Sequence, residues 1–141
     1  MMYKHILVAV DGSDNSIRAA KEAHKLAHAT AFIELVYVSE TDEVLATKSY
    51  NGASNLTEIE RRRKIANIEN ILKQDNIACK LTMLQGKPAE EITHYSKEKN
   101  VDIIIVGKRG LHALQSLLLG SVSSKIIKHA HCPVLVVMDQ H

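Results

Sequence analysis

The chain has 141 residues, of which 45% are hydrophobic and 24% charged, and this size and composition predict one globular domain, residues 1–141. Eighteen Lys and Arg against 16 Asp and Glu give a net charge of +2, and the even spread of charge disfavours a nucleic-acid or membrane-surface partner. No apolar stretch approaches the roughly 18 residues of a membrane-spanning helix, so we predict a soluble protein.

The cysteines and the N-terminus predict a cytoplasmic location. Cys79 and Cys132 lie far apart and form no CxxC pair, which disfavours a disulfide framework or a zinc site. The apolar run near the N-terminus is too short for the core of a signal peptide, and Asp11-Gly12 follows it rather than a cleavage site.

Strand-like and helix-like segments alternate from the start of the chain. Ile6–Val10 has the continuous apolar pattern of a strand that is buried on both faces. The next segment, Asn15–Ala29, predicts a helix with an alanine-rich stripe, which Ser13 or Asp14 can cap. Phe32–Val38 predicts the second strand.

A loop and a basic helix follow. The segment Glu40–Asn55 is polar and aperiodic, so we expect a loop. Thr57–Gln74 has the apolar spacing of a helix. The basic run Arg61–Lys64 within it is most simply a solvated helix face.

The second half of the chain continues the alternation with three strands, two helices and a long connection that contains glycines. In chain order these are the strand Lys80–Leu84, the helix that Pro88 begins, the strand Asp102–Val106, the connection Gly107–Gly120, the helix capped by Ser121 and the strand Val134–Val137. The buried side of the last helix is expected to consist of Val122, Ile126, Ile127 and Ala130.

Strict alternation predicts βαβ crossovers, and therefore an α/β fold with a five-stranded, parallel, doubly wound sheet and helices on both faces. Two strand orders fit, 2-1-3-4-5 and the Rossmann-like half 3-2-1-4-5. In either order a ligand would lie outside the carboxyl ends of the strands, at the switch point. In the second order, Asp11-Gly12 would lie beside Gly107–Gly110.

The glycines of the long connection indicate an anion site. Gly107 and Gly110 are followed by nine residues and then by Gly120-Ser121 at a predicted helix start. Backbone N–H groups and the helix dipole favour an anion there, and the Ser121 and Ser123 hydroxyls add donors. The pattern is neither a Walker A loop nor a GxGxxG fingerprint, and a plain turn with an N-cap would explain it equally well.

This pattern resembles the nucleotide-binding motif of the universal stress protein family, and reads GKRGLHALQSLLLGSVSSKIIKHAHCPVLVV from Gly107 to Val137. The opening KHILVAVDGSDNSIRAAKEAHKLA is similar to that family's first strand and helix, and LVYVSE to its second strand. The resemblance covers nearly the whole chain, Glu40–Asn55 being least characteristic. Because all the motif's glycines are present, the chain resembles the ATP-binding branch, which implies the 3-2-1-4-5 order (adenine nucleotide alpha hydrolase-like) and a regulatory role in the stress response.

The resemblance also implies roles for individual residues. Asp11 would lie by the ribose or the phosphates, in contact with them directly or through Mg²⁺. The remaining contacts to ATP would be Ala9, Val10, Val38 and Val106 at the adenine, Gly107, Arg109 and Gly110 around the ribose and phosphates, and Gly120, Ser121, Val122 and Ser123 at the phosphate tail. Val38 and Val106 could equally be plain core residues.

An enzymatic alternative is slow Mg²⁺-dependent ATP hydrolysis or phosphoryl transfer. It would need charge-neutralising groups such as Lys108 or Arg109 and a base, for which His112 is a candidate. No second acidic strand end resembles Walker B, so we expect at most slow turnover. In the alternative that we favour, ATP is an occupancy signal for an unknown protein partner.

Histidines suggest a third, less favoured reading, in which the chain binds a metal. His24 and His28 are four apart on a predicted helix, and a second cluster consists of His129, His131 and Cys132. Neither set has a complete ligand spacing in the sequence.

The last strand is expected to mediate self-association. In the 3-2-1-4-5 order Val134–Val137 is an outer strand, and an apolar, uncharged edge favours pairing with a second copy. The resemblance likewise implies a homodimer through this strand. Leu114–Leu119 would join the interface or pack back as a short lid.

Overall fold

The computed structural model describes residues 3–28, 30–40, 57–108 and 119–138, which form five strands and four helices in the predicted alternation. In chain order these are β1 (His5–Ala9), α1 (Asp14–Leu26), β2 (Phe32–Ser39), α2 (Glu58–Gln74), β3 (Ala78–Gln85), α3 (Pro88–Glu98), β4 (Ile103–Gly107), α4 (Ser121–His129) and β5 (Val134–Val137). The ends of most elements differ by one to a few residues from the predicted ones. Nearly all of the predicted loop Glu40–Asn55 lies outside the described residues.

The five strands form one parallel sheet in the order β3-β2-β1-β4-β5. The 3-2-1-4-5 order is therefore confirmed, and the alternative order 2-1-3-4-5 is wrong. The exposure of each strand agrees with its position in the sheet. The central strands β1 and β4 are buried almost throughout, whereas the outer strands β3 and β5 are partly exposed. The chain runs outward from β1 to β3 on one side and to β5 on the other, so the switch point lies between β1 and β4.

Two apolar layers hold the helices against the sheet. Helices α1 and α2 cover one face, where Ala19 and Ala23 let α1 lie close to the strands, and α3 and α4 cover the other. On α4 it is Ile126 that is fully buried. Ile127 was predicted to point inward but is 46% exposed, because one residue along a helix turns a side chain through about 100°.

The helix starts differ in how they are capped. The Ser13 hydroxyl accepts the N–H of Ser16 at 3.2 Å at the start of α1, and the Thr57 hydroxyl caps α2 in the same way. The predicted cap of α4 was wrong by one residue, since Gly120 is the N-cap and Ser121 is the first helical residue. Glycine has no side chain with which to cap the helix.

A buried polar cluster lies in the amino-terminal half of the sheet. Glu34 on β2 is 2% exposed, and its carboxylate accepts hydrogen bonds from His5 on β1, at 2.8 Å, and from Thr82 on β3 and Tyr95 on α3. Burial alone would raise the pKa of Glu34, but these hydrogen bonds outweigh burial and hold the pKa below its ordinary value. The cluster therefore joins three strands and a helix around one carboxylate, which the sequence analysis did not predict.

Across the described residues, no helix combines the length and the apolar character that crossing a membrane requires.

Candidate functional site

The loop between β1 and α1 lies at the carboxyl edge of the sheet, at the switch point. Asp11 is half-buried, and its carboxylate accepts the N–H of Ser13 at 2.9 Å. Gly12 has a φ of +86°, in the left-handed region that favours glycine. One carboxylate of Asp11 thus shapes the turn and is also placed at the edge where ligands of this fold bind.

The end of β4 lies next to this loop. A Cβ on Gly107 would stand 2.8 Å from the Cβ of Asn15, in the first turn of α1. The missing side chain at Gly107 therefore lets α1 approach β4. The place of Gly107 at the ribose and phosphates, which the resemblance implied, stays a prediction. Asn15 was not predicted as a site residue, and no pattern in the sequence shows that it meets Gly107.

The start of α4 is bonded directly to the end of β4. The N–H of Gly120 donates to the carbonyl of Lys108 at 2.8 Å. The buried Ser123 hydroxyl lies 2.6 Å from the carbonyl of Gly107 and 3.0 Å from that of Lys108. Because a serine hydroxyl has one proton, this hydroxyl cannot at the same time be the phosphate donor that the sequence analysis predicted.

The backbone N–H groups at the start of α4 lie in a different situation from the Ser123 hydroxyl. The first intrahelical bond that reaches Gly120 is donated by Ser124, at 3.0 Å. Ser121, Val122 and Ser123 therefore belong to the first turn, whose N–H groups have no acceptor within a helix. These groups and the positive end of the helix dipole suit an anion.

The predicted adenine residues divide between the two faces of the sheet. Ala9, Val38 and Val106 lie in the same apolar cluster, on the side of α3 and α4. Val10 lies in the opposite cluster, because successive residues of an extended chain point to opposite faces. The structure therefore brings together three of these four side chains.

Two predicted site residues, Arg109 and Gly110, lie outside the described residues, as do His112 and most of Leu114–Leu119. Lys108 is described and is 8% exposed, so its side chain is buried rather than presented at the surface. Arg61, which the sequence analysis placed on a solvated helix face, contacts the β1–α1 loop.

The histidines and cysteines, some of which suggested a metal site, lie in surroundings that do not form one among the described residues. His24 pairs with Asp75 at 2.9 Å. Burial raises the pKa of Cys79 to about 11 and also raises that of Cys132, which disfavours the reactive thiolate form. Within the part of the chain that the structure describes, no three His, Cys, Asp or Glu side chains group as ligands for one metal ion.

The fold and this edge define a class of protein. It is a doubly wound α/β domain in which two strand ends, a glycine turn and a helix N-terminus converge at the switch point, where proteins of this fold bind their ligands. A model of the universal stress protein family matches residues 2–138. The chain belongs to the universal stress protein family.

Individual relatives extend this finding. Universal stress protein MJ0531 of Methanocaldococcus jannaschii is 35% identical over 140 residues, covering 96% of this chain and 82% of that protein. The solved structure of hypothetical protein MJ0577, from the same organism, has a TM-score of 0.83 and 32% identity and covers 100% of this chain and 99% of that one. A universal stress protein of Archaeoglobus fulgidus, solved in complex with dAMP, has a TM-score of 0.68 and 21% identity over 96% of this chain and 98% of that one, a likeness that shows the fold alone.

Proposed function

We propose that this protein binds an adenine nucleotide, ATP together with Mg²⁺, at the switch point between β1 and β4, and that it acts as a regulatory module in the stress response. The observation that carries the proposal is the convergence of the Asp11–Ser13 loop with the first turn of α4 at one edge of the sheet. The N–H groups of the helix turn can bind an anion there, and the Asp11 carboxylate can bind a cation that accompanies it.

The residues present fit such a ligand. The phosphates would lie against the N–H groups of Ser121, Val122 and Ser123, and Gly120 places no side chain in front of them. Asp11 would supply one carboxylate, and Mg²⁺ commonly takes one or two carboxylates with phosphate oxygens and water. Mg²⁺ would neutralise phosphate charge. Arg109 and Gly110 remain predictions from the sequence.

The adenine would lie on the side of α3 and α4. Ala9, Val38 and Val106 share that face and offer an apolar surface at the strand ends. The relative from Archaeoglobus fulgidus, which has the same fold, was solved with dAMP, which supports an adenine nucleotide as the ligand class. The choice of ATP within that class rests on the resemblance to the ATP-binding branch of the family, and the choice of Mg²⁺ on the role that this resemblance implies for Asp11.

A regulatory role follows from the chemistry of the edge. Among the residues that the structure describes, those that converge there supply backbone donors and one carboxylate, which suit binding more directly than they suit activation of a water molecule. Slow Mg²⁺-dependent hydrolysis or phosphoryl transfer is the second candidate, and it rests on His112 in the sequence. Release of inorganic phosphate from Mg-ATP at a rate above that of a Ser121→Asp variant would favour it.

The test is to purify the protein without added nucleotide, denature it and identify any released nucleotide by chromatography. Titration with Mg-ATP, ATP with a chelator, and Mg-GTP then separates the contributions of phosphate, metal and base. A Ser121→Asp variant places a negative charge at the first helical residue, which the helix dipole tolerates but a bound phosphate does not.

Ser121→Asn is the matched control, because asparagine has the shape of aspartate without the charge. We expect Mg-ATP affinity to fall about tenfold or more in Ser121→Asp, which corresponds to about 1.4 kcal/mol, and to change little in Ser121→Asn. Equal affinity in the two variants would show that no phosphate lies at this helix start. If the unaltered protein bound neither ATP nor another adenine nucleotide, the proposed function would be wrong.

We also propose that the protein forms a homodimer through β5 and is located in the cytoplasm. Both proposals come from the sequence analysis. β5 is an outer strand of the sheet, and Leu135 on it is 36% exposed. Leu135→Lys should convert a dimer to a monomer in light scattering. Met83→Lys, on the opposite outer strand and 42% exposed, should leave the dimer intact.

A further inference from the structure

The four basic residues Arg61–Lys64 do not share one environment. The side chain of Arg61 is 16% exposed, whereas that of Arg62 is 56% exposed, and Arg63 and Lys64 are also exposed. A solvated helix face accounts for the last three residues. Arg61 is turned toward the body of the protein and needs another explanation.

Arg61 packs against the turn that follows β1. A Cβ on Gly12 would stand 3.1 Å from the Cα of Arg61 and 3.3 Å and 3.4 Å from its Cβ and Cγ. The first turn of α2 and the Asp11–Ser13 loop are therefore in direct contact, with no room between them for a side chain. A displacement of either one must move the other or open a gap between them.

The charged end of Arg61 lies in a polar group beneath α2. Its guanidinium is 3.9 Å from the carboxylate of Glu58, which accepts the hydroxyl of Tyr37 at 2.6 Å and the Arg62 Nε at 2.9 Å. Burial, reinforced by the hydrogen bond to Glu58, raises the pKa of Tyr37 to about 12, and Arg61 opposes that shift. The aliphatic part of the Arg61 side chain thus packs on the Asp11–Ser13 loop, and its guanidinium lies in the polar group of Glu58 and Tyr37, which joins α2 to β2.

We propose that Arg61 is a positioning residue that holds the Asp11–Ser13 loop against the first turn of α2, so that ligand occupancy at the switch point and the order of that turn depend on each other. This inference rests on the proposed nucleotide site and adds its regulation. The exposed side of the same turn, with Ile59 and Arg62, is where a bound nucleotide would change the surface of the protein.

The coupling is reciprocal. If a bound nucleotide stabilises the ordered first turn of α2 through Arg61, then order in that turn strengthens nucleotide binding by the same factor, and removing Arg61 should weaken both. Couplings of this kind usually amount to about five- to 150-fold in affinity, and we expect the lower end of that range, about five- to tenfold, for one positioning residue.

The experiment measures Mg-ATP affinity and backbone hydrogen exchange in the unaltered protein, Arg61→Ala, Arg61→Lys and the control Arg63→Ala. Arg63 is an exposed arginine of the same helix and the same basic run. In the unaltered protein and in the control, Mg-ATP should slow exchange in peptides covering residues 58–65. In Arg61→Ala this protection should disappear, and the Mg-ATP affinity of the folded variant should fall about five- to tenfold, whereas Arg63→Ala should keep both.

Arg61→Lys keeps the stem that contacts Gly12 and the positive charge, so it should recover most of the affinity and the protection. Wild-type affinity and protection in Arg61→Ala would overturn the inference while leaving the nucleotide site intact. So would an equal loss in Arg63→Ala, because the effect would then come from surface charge. If Arg61→Ala does not fold, unchanged exchange at residues 58–65 in the nucleotide-bound unaltered protein would overturn it. If the unaltered protein binds no nucleotide, the proposed function fails and this inference with it.

Discussion

The two edges of the sheet use polar groups in opposite ways. At the amino edge, side chains are bonded to one another or to backbone, as in the Glu34 cluster, and the Asp102 carboxylate accepts the N–H groups of Lys4 and His5, each at 2.9 Å. At the carboxyl edge, glycines and a helix first turn without a side-chain cap place backbone N–H groups at the switch point. The first arrangement satisfies its polar groups internally, whereas the second has first-turn N–H groups that no acceptor within the helix satisfies.

With the proposed nucleotide site at the carboxyl edge, this difference would separate stability from binding within one small domain. A carboxylate surrounded by donors from three other elements contributes to folding as long as every partner is present. A helix start without a side-chain cap costs some stability, and the cost is recovered when an anion binds. Variants at the two edges should therefore affect different measurements.

The largest effect is expected for Glu34→Ala. This change leaves three buried or partly buried donors without their acceptor, and should lower the free energy of unfolding by about 3 kcal/mol. Urea unfolding measures it, with Tyr95→Phe as a control that removes one donor and costs about 1 kcal/mol. Affinity for Mg-ATP, measured while the variant is folded, should stay within about twofold. A stable Glu34→Ala variant would remove the distinction between the two edges.

The same carboxylate should make stability depend on acidity. Since the folded-state pKa of Glu34 lies below its ordinary value of 4.5, its ionised form is stabilised by folding. That contribution is present above pH 4.5 and is lost as the pH falls through the folded-state pKa. Unfolding free energies of the unaltered protein and of Glu34→Gln, which does not titrate, should therefore converge on acidification. Parallel pH profiles for the two proteins would contradict the assignment.

A smaller effect is expected for Gly12→Ala at the carboxyl edge. A φ of +86° and the contact with Arg61 both oppose a side chain, so we expect a loss of about 2 kcal/mol and weaker Mg-ATP binding. The counterpart at the other edge is Asn100, whose φ is 54°. Asn100→Gly should change stability by less than about 1 kcal/mol, because asparagine tolerates this region, and should leave binding unchanged. Normal binding by Gly12→Ala would argue against a ligand at this loop.

The smallest effect on stability is expected for Ser123→Ala. The hydroxyl that ties α4 to the end of β4 is buried, and its loss should cost about 1 kcal/mol. Because that hydrogen bond positions the first turn of α4, we expect Ser123→Ala also to weaken Mg-ATP binding, even where the variant is fully folded. Ser124→Ala, exposed one residue later, is the control. Equal behaviour of the two variants in calorimetric titration would show that the tie has no role in binding.

Local patterns in the sequence determined the elements and the class of fold. Continuous apolar runs predicted β1 and β4 as buried strands, and alternation with helices predicted the parallel, doubly wound sheet. These signals are carried by residues near one another in the chain, so they can be read without the structure. The strand order was left open by the pattern itself, and the resemblance to a family selected the order that the structure has.

Tertiary structure alone decided which residues meet. Ser121 and Ser123 were predicted as site residues from the glycine pattern, but the hydrogen bonding of the Ser123 hydroxyl to two carbonyls depends on how α4 meets β4. The contact of Gly12 with Arg61 joins residues far apart in the chain, and the cluster around Glu34 joins β1, β2, β3 and α3. Such contacts depend on helix packing and sheet register, which short-range periodicity in the sequence does not report. Arg61 therefore has the sequence pattern of a solvated arginine and yet lies against the proposed site in the fold.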